Sequence, residues 1–147
     1  MNSTVTRVMA FDFGLRQIGV ASANVPFGTT QPLSILTARD GVPNWDKVQL
    51  LIDEWQPDLL LVGDPLNMDD SESPLAQRAR RFARRLHGRF GREVMMVDER
   101  LTSFEAKLTQ RERGHSGNYK IRPVDSEAAE LILRTWLNEN SAGDSVN

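Results

Sequence analysis

The chain has 147 residues, 39% of them hydrophobic, enough for one domain with its own core at that size. With no cysteine it has neither a disulfide framework nor a thiolate zinc site, and its two histidines, His87 and His115, are too few for a histidine-based zinc cluster. The formal net charge of −2 hides a segregation: Asp53 to Glu72 holds seven acids and no base, whereas Pro74 to Arg92 holds seven arginines and no acid. No window approaches the length of a membrane span and the N-terminus lacks a signal-peptide pattern, so a soluble protein of the reducing cytoplasm, with no membrane partner, is expected.

In chain order, residues 7–13, 17–24 and 31–38 are short, rich in β-branched or apolar side chains and separated by turn residues, which predicts a three-stranded meander. After the turn-like DGVPN, the residues Trp45, Val48, Leu51, Ile52 and Trp55 recur at helical spacing behind Asn44 as N-cap. The run DLLLVGDP reads as a strand covered on both faces. A second helix follows with Ser73 as N-cap and Pro74 at its first position, its buried stripe formed by Leu75, Ala79, Phe82, Ala83, Leu86 and Phe90. EVMMVDE predicts another buried strand, TSFEAKLTQRE a short helix, and PVDSEAAELILRTWLNEN a last helix starting near Pro123. The order describes a mixed sheet with helices on both faces in one domain over 1–140, followed by a disordered tail over 141–147.

Three acids then stand out. Asp12 lies inside the first strand, where an ionised carboxylate among apolar neighbours is costly unless a cation or several donors meet it. Glu99 ends the last strand and Asp125 lies in the first turn of the last helix. In an open α/β sheet the carboxyl ends of adjacent strands form the usual ligand crevice, so the three can converge. Carboxylates so gathered repel one another unless a divalent ion binds them, and an all-oxygen set suits Mg²⁺ or Mn²⁺, which support phosphodiester hydrolysis. Each acid also has a plain reading: Asp12 as a turn aspartate, Glu99 as a strand-end acid beside Arg100, Asp125 as a complement to a helix dipole.

On the second helix the apolar stripe leaves Arg78, Arg81, Arg85 and Arg89 as one outer row, with Arg80 and Arg84 beside it, a surface suited to sequence-blind contact with a nucleic-acid backbone or simply to water. The DFG tripeptide does not signal a kinase here, because no HRD, VAIK or Gly-rich loop accompanies it.

The segments FDFGLRQIGVA, VGDPLNMD, VDERLTS and VDSEAAELIL, together with RARRFARRL, span nearly the whole chain in order and resemble the YqgF (RuvX) family of pre-16S rRNA nucleases, related in fold to the Holliday-junction resolvase RuvC. The resemblance implies an RNase H-like α/β fold, with a five-stranded mixed sheet in the order 3-2-1-4-5 and helices on both faces. It implies Asp12, Glu99 and Asp125 as catalytic, metal-holding acids, and processing of the 5′ end of pre-16S rRNA in the cytoplasm. Asp64 departs from the family, which usually has an apolar residue there, and is expected as an extra carboxylate at the rim of the metal site. Arg100, Asn67, Thr102 and Arg122 join the arginine row as expected nucleic-acid contacts. RNA, DNA and branched DNA all remain open as substrates, a Holliday-junction resolvase included, and so does a transcription-modulating or nucleic-acid-binding factor that cleaves nothing.

Overall fold

The computed structural model describes residues 5–65, 69, 73–98 and 125–145, with side chains of the last helix described over 127–140. Strand β1 (Arg7–Asp12) is central: it pairs antiparallel with β2 (Gln17–Asn24), Ala10 facing Ala21, and parallel with β6 (Leu59–Asp64), Ala10 facing Leu61. Beyond β6 lies β7 (Glu93–Asp98), also parallel, with Leu61 facing Met95. On the far side, the outer edge of β2 is shared by β3 (Thr29–Pro32) and β4 (Leu36–Arg39), and β4 carries β5 (Val42–Pro43). The sheet is mixed and keeps the expected 3-2-1-4-5 core, except that the third strand is broken in two. Pro32 ends β3, where it has no N–H to continue a ladder. The stretch expected as a plain turn is a two-residue hairpin: Asp40 (φ 53°) and Gly41 (φ 82°) both take the left-handed conformation that the twist of β4 and β5 demands.

Local chemistry accounts for the helix ends. In α1 (Trp45–Trp55) the Asn44 side chain accepts from the N–H of Asp46 at 2.9 Å. In α2 (Pro74–Phe90) the Ser73 Oγ accepts from the N–H of Ala76 and donates to the Pro65 carbonyl, each at 3.0 Å, which pins the helix start beside the end of β6. Gly91 closes α2 in the left-handed conformation. The buried stripe of α2 begins at Ala76 and not at Leu75, which is exposed.

Because β-strand side chains alternate, β1 feeds two cores. Met9, Phe11 and Phe13, with Leu60 and Val62 of β6, pack under α1 and α2, where Phe82 meets the Phe11 ring edge-on at 5.7 Å. Val8 and Ala10, with Leu59 and Leu61, pack instead under α3 (Asp125–Ser145), against Ala129, Ile132 and Leu133. Fully burying side chains of this size stabilises the fold by about 1.5–3 kcal/mol each. The backbone of α3 runs to Ser145; no proline interrupts it, and Gly143 costs a helix about 1 kcal/mol. The short helix expected over 102–112 lies outside the described residues.

Candidate functional site

Strands β1, β6 and β7 run parallel, and each ends in an aspartate: Asp12, Asp64 and Asp98. Three carboxylates therefore share one rim, at the carboxyl ends of the strands. Asp12 is a strand residue and not a turn residue, since it still faces Gly19 in the β1–β2 ladder. The turn is made further on by Gly14, where a Cβ would lie 2.5 Å from the Gln17 carbonyl oxygen. The D-F-G sequence thus separates two tasks: glycine closes the hairpin, and the aspartate is presented half-buried at the strand end.

The pleat divides the three acids between the two faces. Asp12 has the parity of Val8 and Ala10, so it belongs to the face covered by α3, the helix whose first residue is Asp125. Asp64 has the parity of Leu60 and Val62 and belongs to the face covered by α2. Asp98 is its register partner and has the parity of Val94 and Met96, which pack on that same face. The strands therefore do not bring Asp64 beside Asp12. Its Oδ2 accepts instead from Arg80 Nη2 at 2.7 Å, while the residue as a whole is 5% exposed. Its other oxygen, Oδ1, is buried with no hydrogen-bond partner among the described residues.

Oxygen donors of this kind suit Mg²⁺ or Mn²⁺, and Asp12 lies half-buried on the sheet face covered by α3. They fit less well on the α2 face, because a guanidinium already neutralises Asp64. Among the described residues no three acids or histidines are grouped closely enough to hold a metal. Glu99, Arg100, Asn67, Thr102 and Arg122 lie outside the described residues, and of Asp125 only the backbone is described.

The arginines of α2 do not form one uniform surface. Arg78 Nη2 donates to the Asp40 carbonyl at 2.8 Å and to its carboxylate at 2.9 Å. At the other end of the row the Arg89 guanidinium stacks 4.4 Å from the Trp45 ring centre. Between them Arg81 and Arg85 are exposed, with no ion pair or hydrogen bond among the described residues. Arg80 and Arg84 look the other way, lining with His87, Val94 and Met96 a cavity of about 740 Å³ against β7. Sequence reasoning missed Asp98 and the Asp64–Arg80 pair. Asp98 carried a signal, the same strand-final position as Asp12. The pair carried none, since its partners lie on different elements and meet through the docking of α2 on β6.

The family model described as "RuvX: Holliday junction resolvase" matches residues 6–139. The chain is 53% identical over 135 residues to the "Putative pre-16S rRNA nuclease" of Marinobacter nauticus, covering 92% of this chain and 94% of that one. To the protein of the same description from Azotobacter vinelandii it is 51% identical over 136 residues, covering 92% and 96%. Among solved structures it is similar to Thermus thermophilus RuvC in complex with Holliday junction substrate, with a TM-score of 0.57 at 14% identity over 92% of this chain and 96% of that one. The yeast mitochondrial Holliday junction resolvase Ydc2 matches with a TM-score of 0.51 at 13% identity, over 90% of this chain and 78% of that one. These two likenesses identify the fold as that of RuvC-like, RNase H-fold resolvases.

Proposed function

This chain belongs to the RuvX family, and from that premise and the geometry of the strand ends we propose that it is a divalent-metal-dependent nuclease that trims the 5′ end of pre-16S rRNA in the bacterial cytoplasm. The observation that carries the reading is the position of Asp12, half-buried at the end of the central strand, on the sheet face covered by the helix that starts with Asp125. Asp12, Glu99 and Asp125 are the residues that would hold the metal. Glu99 is assigned that role by the family resemblance, at the position after β7 ends in Asp98. When bound, Mg²⁺ or Mn²⁺ supplies a water of lowered pKa and charge neutralisation at the departing oxygen.

The protein's own groups do the rest. Arg81 and Arg85, exposed on α2, hold the strand by its phosphates without reading its bases. Arg100, Asn67, Thr102 and Arg122 are proposed contacts nearer the cut, and Arg78 and Arg89 flank the row. Asp64 is assigned to its ion pair with Arg80, a positioning role between β6 and α2.

Metal titration of the wild type and Asp12→Asn against panels of structured RNA, duplex DNA and branched DNA tests the proposal. Cleavage of the RNA that needs Mg²⁺ or Mn²⁺ and vanishes in Asp12→Asn is expected. Preference for the branched DNA would move the substrate toward a resolvase, in line with the family description. Tight binding indifferent to EDTA and to the substitution, with no cleavage, would mark a binding factor instead.

A further inference from the structure

Between the β4–β5 hairpin and α2 lies a cavity of about 220 Å³, lined by Phe13, Asp40, Gly41, Arg78, Arg81 and Arg85 among others. One wall is formed by three arginines of α2 and the other by a tight turn. Phe13, which follows Asp12 in the chain, lines the cavity from the α2 side of the sheet. We propose that this cavity seats one backbone phosphate of the nucleic-acid strand, and that the Asp40 carboxylate holds that anion's place on Arg78 in the free protein. The inference rests on the nuclease reading and names a subsite within it.

Three observations converge. Arg81 and Arg85 are exposed and have no anionic partner among the described residues, and arginine donors match phosphate oxygens well. Arg78, in contrast, has its Nη2 on Asp40, through a carboxylate whose side chain is 74% exposed. An exposed ion pair of this kind is weakly held and salt-sensitive, so a phosphate can displace it. Finally, the turn does not require the charge: at φ 53° before a glycine, asparagine serves as well as aspartate. Arg78 also keeps its bond to the Asp40 carbonyl whichever side chain is present. The carboxylate is therefore the part of the hairpin that the fold leaves unexplained, and it sits where a strand's phosphate would meet three arginines.

The test is Asp40→Asn in the full chain, carried in an Asp12→Asn background with EDTA so that cleavage plays no part. Binding of a short single-stranded RNA is measured across a salt series. Removing the resident carboxylate should tighten binding about three- to tenfold at low salt. It should also steepen the logarithmic salt dependence by about 0.7, one further phosphate contact on a single strand. Adding Arg78→Gln to Asp40→Asn should cancel the gain. Equal affinity and equal slope, with an unchanged melting temperature, would overturn the pocket alone. Weaker binding with a lowered melting temperature would overturn it too, by showing that the carboxylate clasps the hairpin. Failure of the Asp40-intact protein to bind RNA or DNA at any salt would remove the nuclease reading and the pocket together.

Discussion

The two ends of β6 carry aspartates six positions apart that have opposite fates. At the entry to the strand, Oδ2 of Asp58 accepts from the N–H of Thr6 at 2.9 Å, the Thr6 hydroxyl at 3.0 Å and the N–H of Arg7 at 3.1 Å. The Thr6 backbone donor foremost, outweighing a desolvation penalty, holds its carboxyl below the ordinary value of 3.8. At the exit, Asp64 is buried with one guanidinium on one oxygen and nothing described on the other. The amino-end rim thus uses a carboxylate to tie β1 to β6, with donors from the backbone itself. The carboxyl-end rim gathers Asp12, Asp64 and Asp98, and there Arg80 serves Asp64 on one face of the sheet. At one end a carboxylate is satisfied by local backbone donors, whereas at the other Asp64 is met by a side chain from a docked helix.

That contrast can be broken in several places. Asp12→Asn should lower metal-dependent RNA cleavage by about a hundredfold or more while leaving binding in EDTA within about twofold; retained turnover would remove Asp12 from the metal site. Charge reversal of Arg81 and Arg85 together should weaken RNA binding about ten- to a hundredfold at low salt without moving the melting temperature, because neither side chain is in the core. Arg80→Gln should cost about 2–4 kcal/mol in urea unfolding by stranding the Asp64 carboxylate, and Asp64→Leu should cost less, since Arg80 can reach water. If Asp64→Leu instead weakened Mg²⁺ binding as much as Asp12→Asn, the two acids would belong to one site and the face assignment would be wrong.

The smallest effect belongs to the other rim. Asp58→Asn should cost about 0.5–1 kcal/mol near neutral pH. Its folded pKa is lowered, so the unfolded chain binds the proton more readily. The stability it contributes is complete above the ordinary value near 3.8 and is lost as the pH falls through the folded value. The variant should therefore be less stable than the wild type at pH 6 and close to it at pH 2, as read from urea midpoints. A constant difference at both pH values would show that the carboxylate's charge is not what the clamp uses.

Much of the architecture was legible in the residues alone, because it depends on near neighbours. The continuous apolar runs VMAF and LLLV, the caps at Asn44 and Ser73, the stop at Gly91 and the glycine after DF are set by burial, backbone sterics and hydrogen bonds spanning a few positions. The sequence therefore determined the four strands of the sheet's centre, two helix starts, the basic helix and the presence of an acid at the end of the central strand. Tertiary structure alone decided which side of the sheet each acid serves and which cation it meets. Asp64, expected at the rim of the metal site, does end β6 at that rim, but the pleat turns it to the face opposite Asp12, where it meets Arg80, sixteen positions away on a docked helix. Arg78, expected in an open basic row, is held by Asp40 across 38 positions. A charge pattern along a chain records which ions exist; register and helix docking choose the pairs, since Coulomb energy depends on distances that only the packed molecule sets.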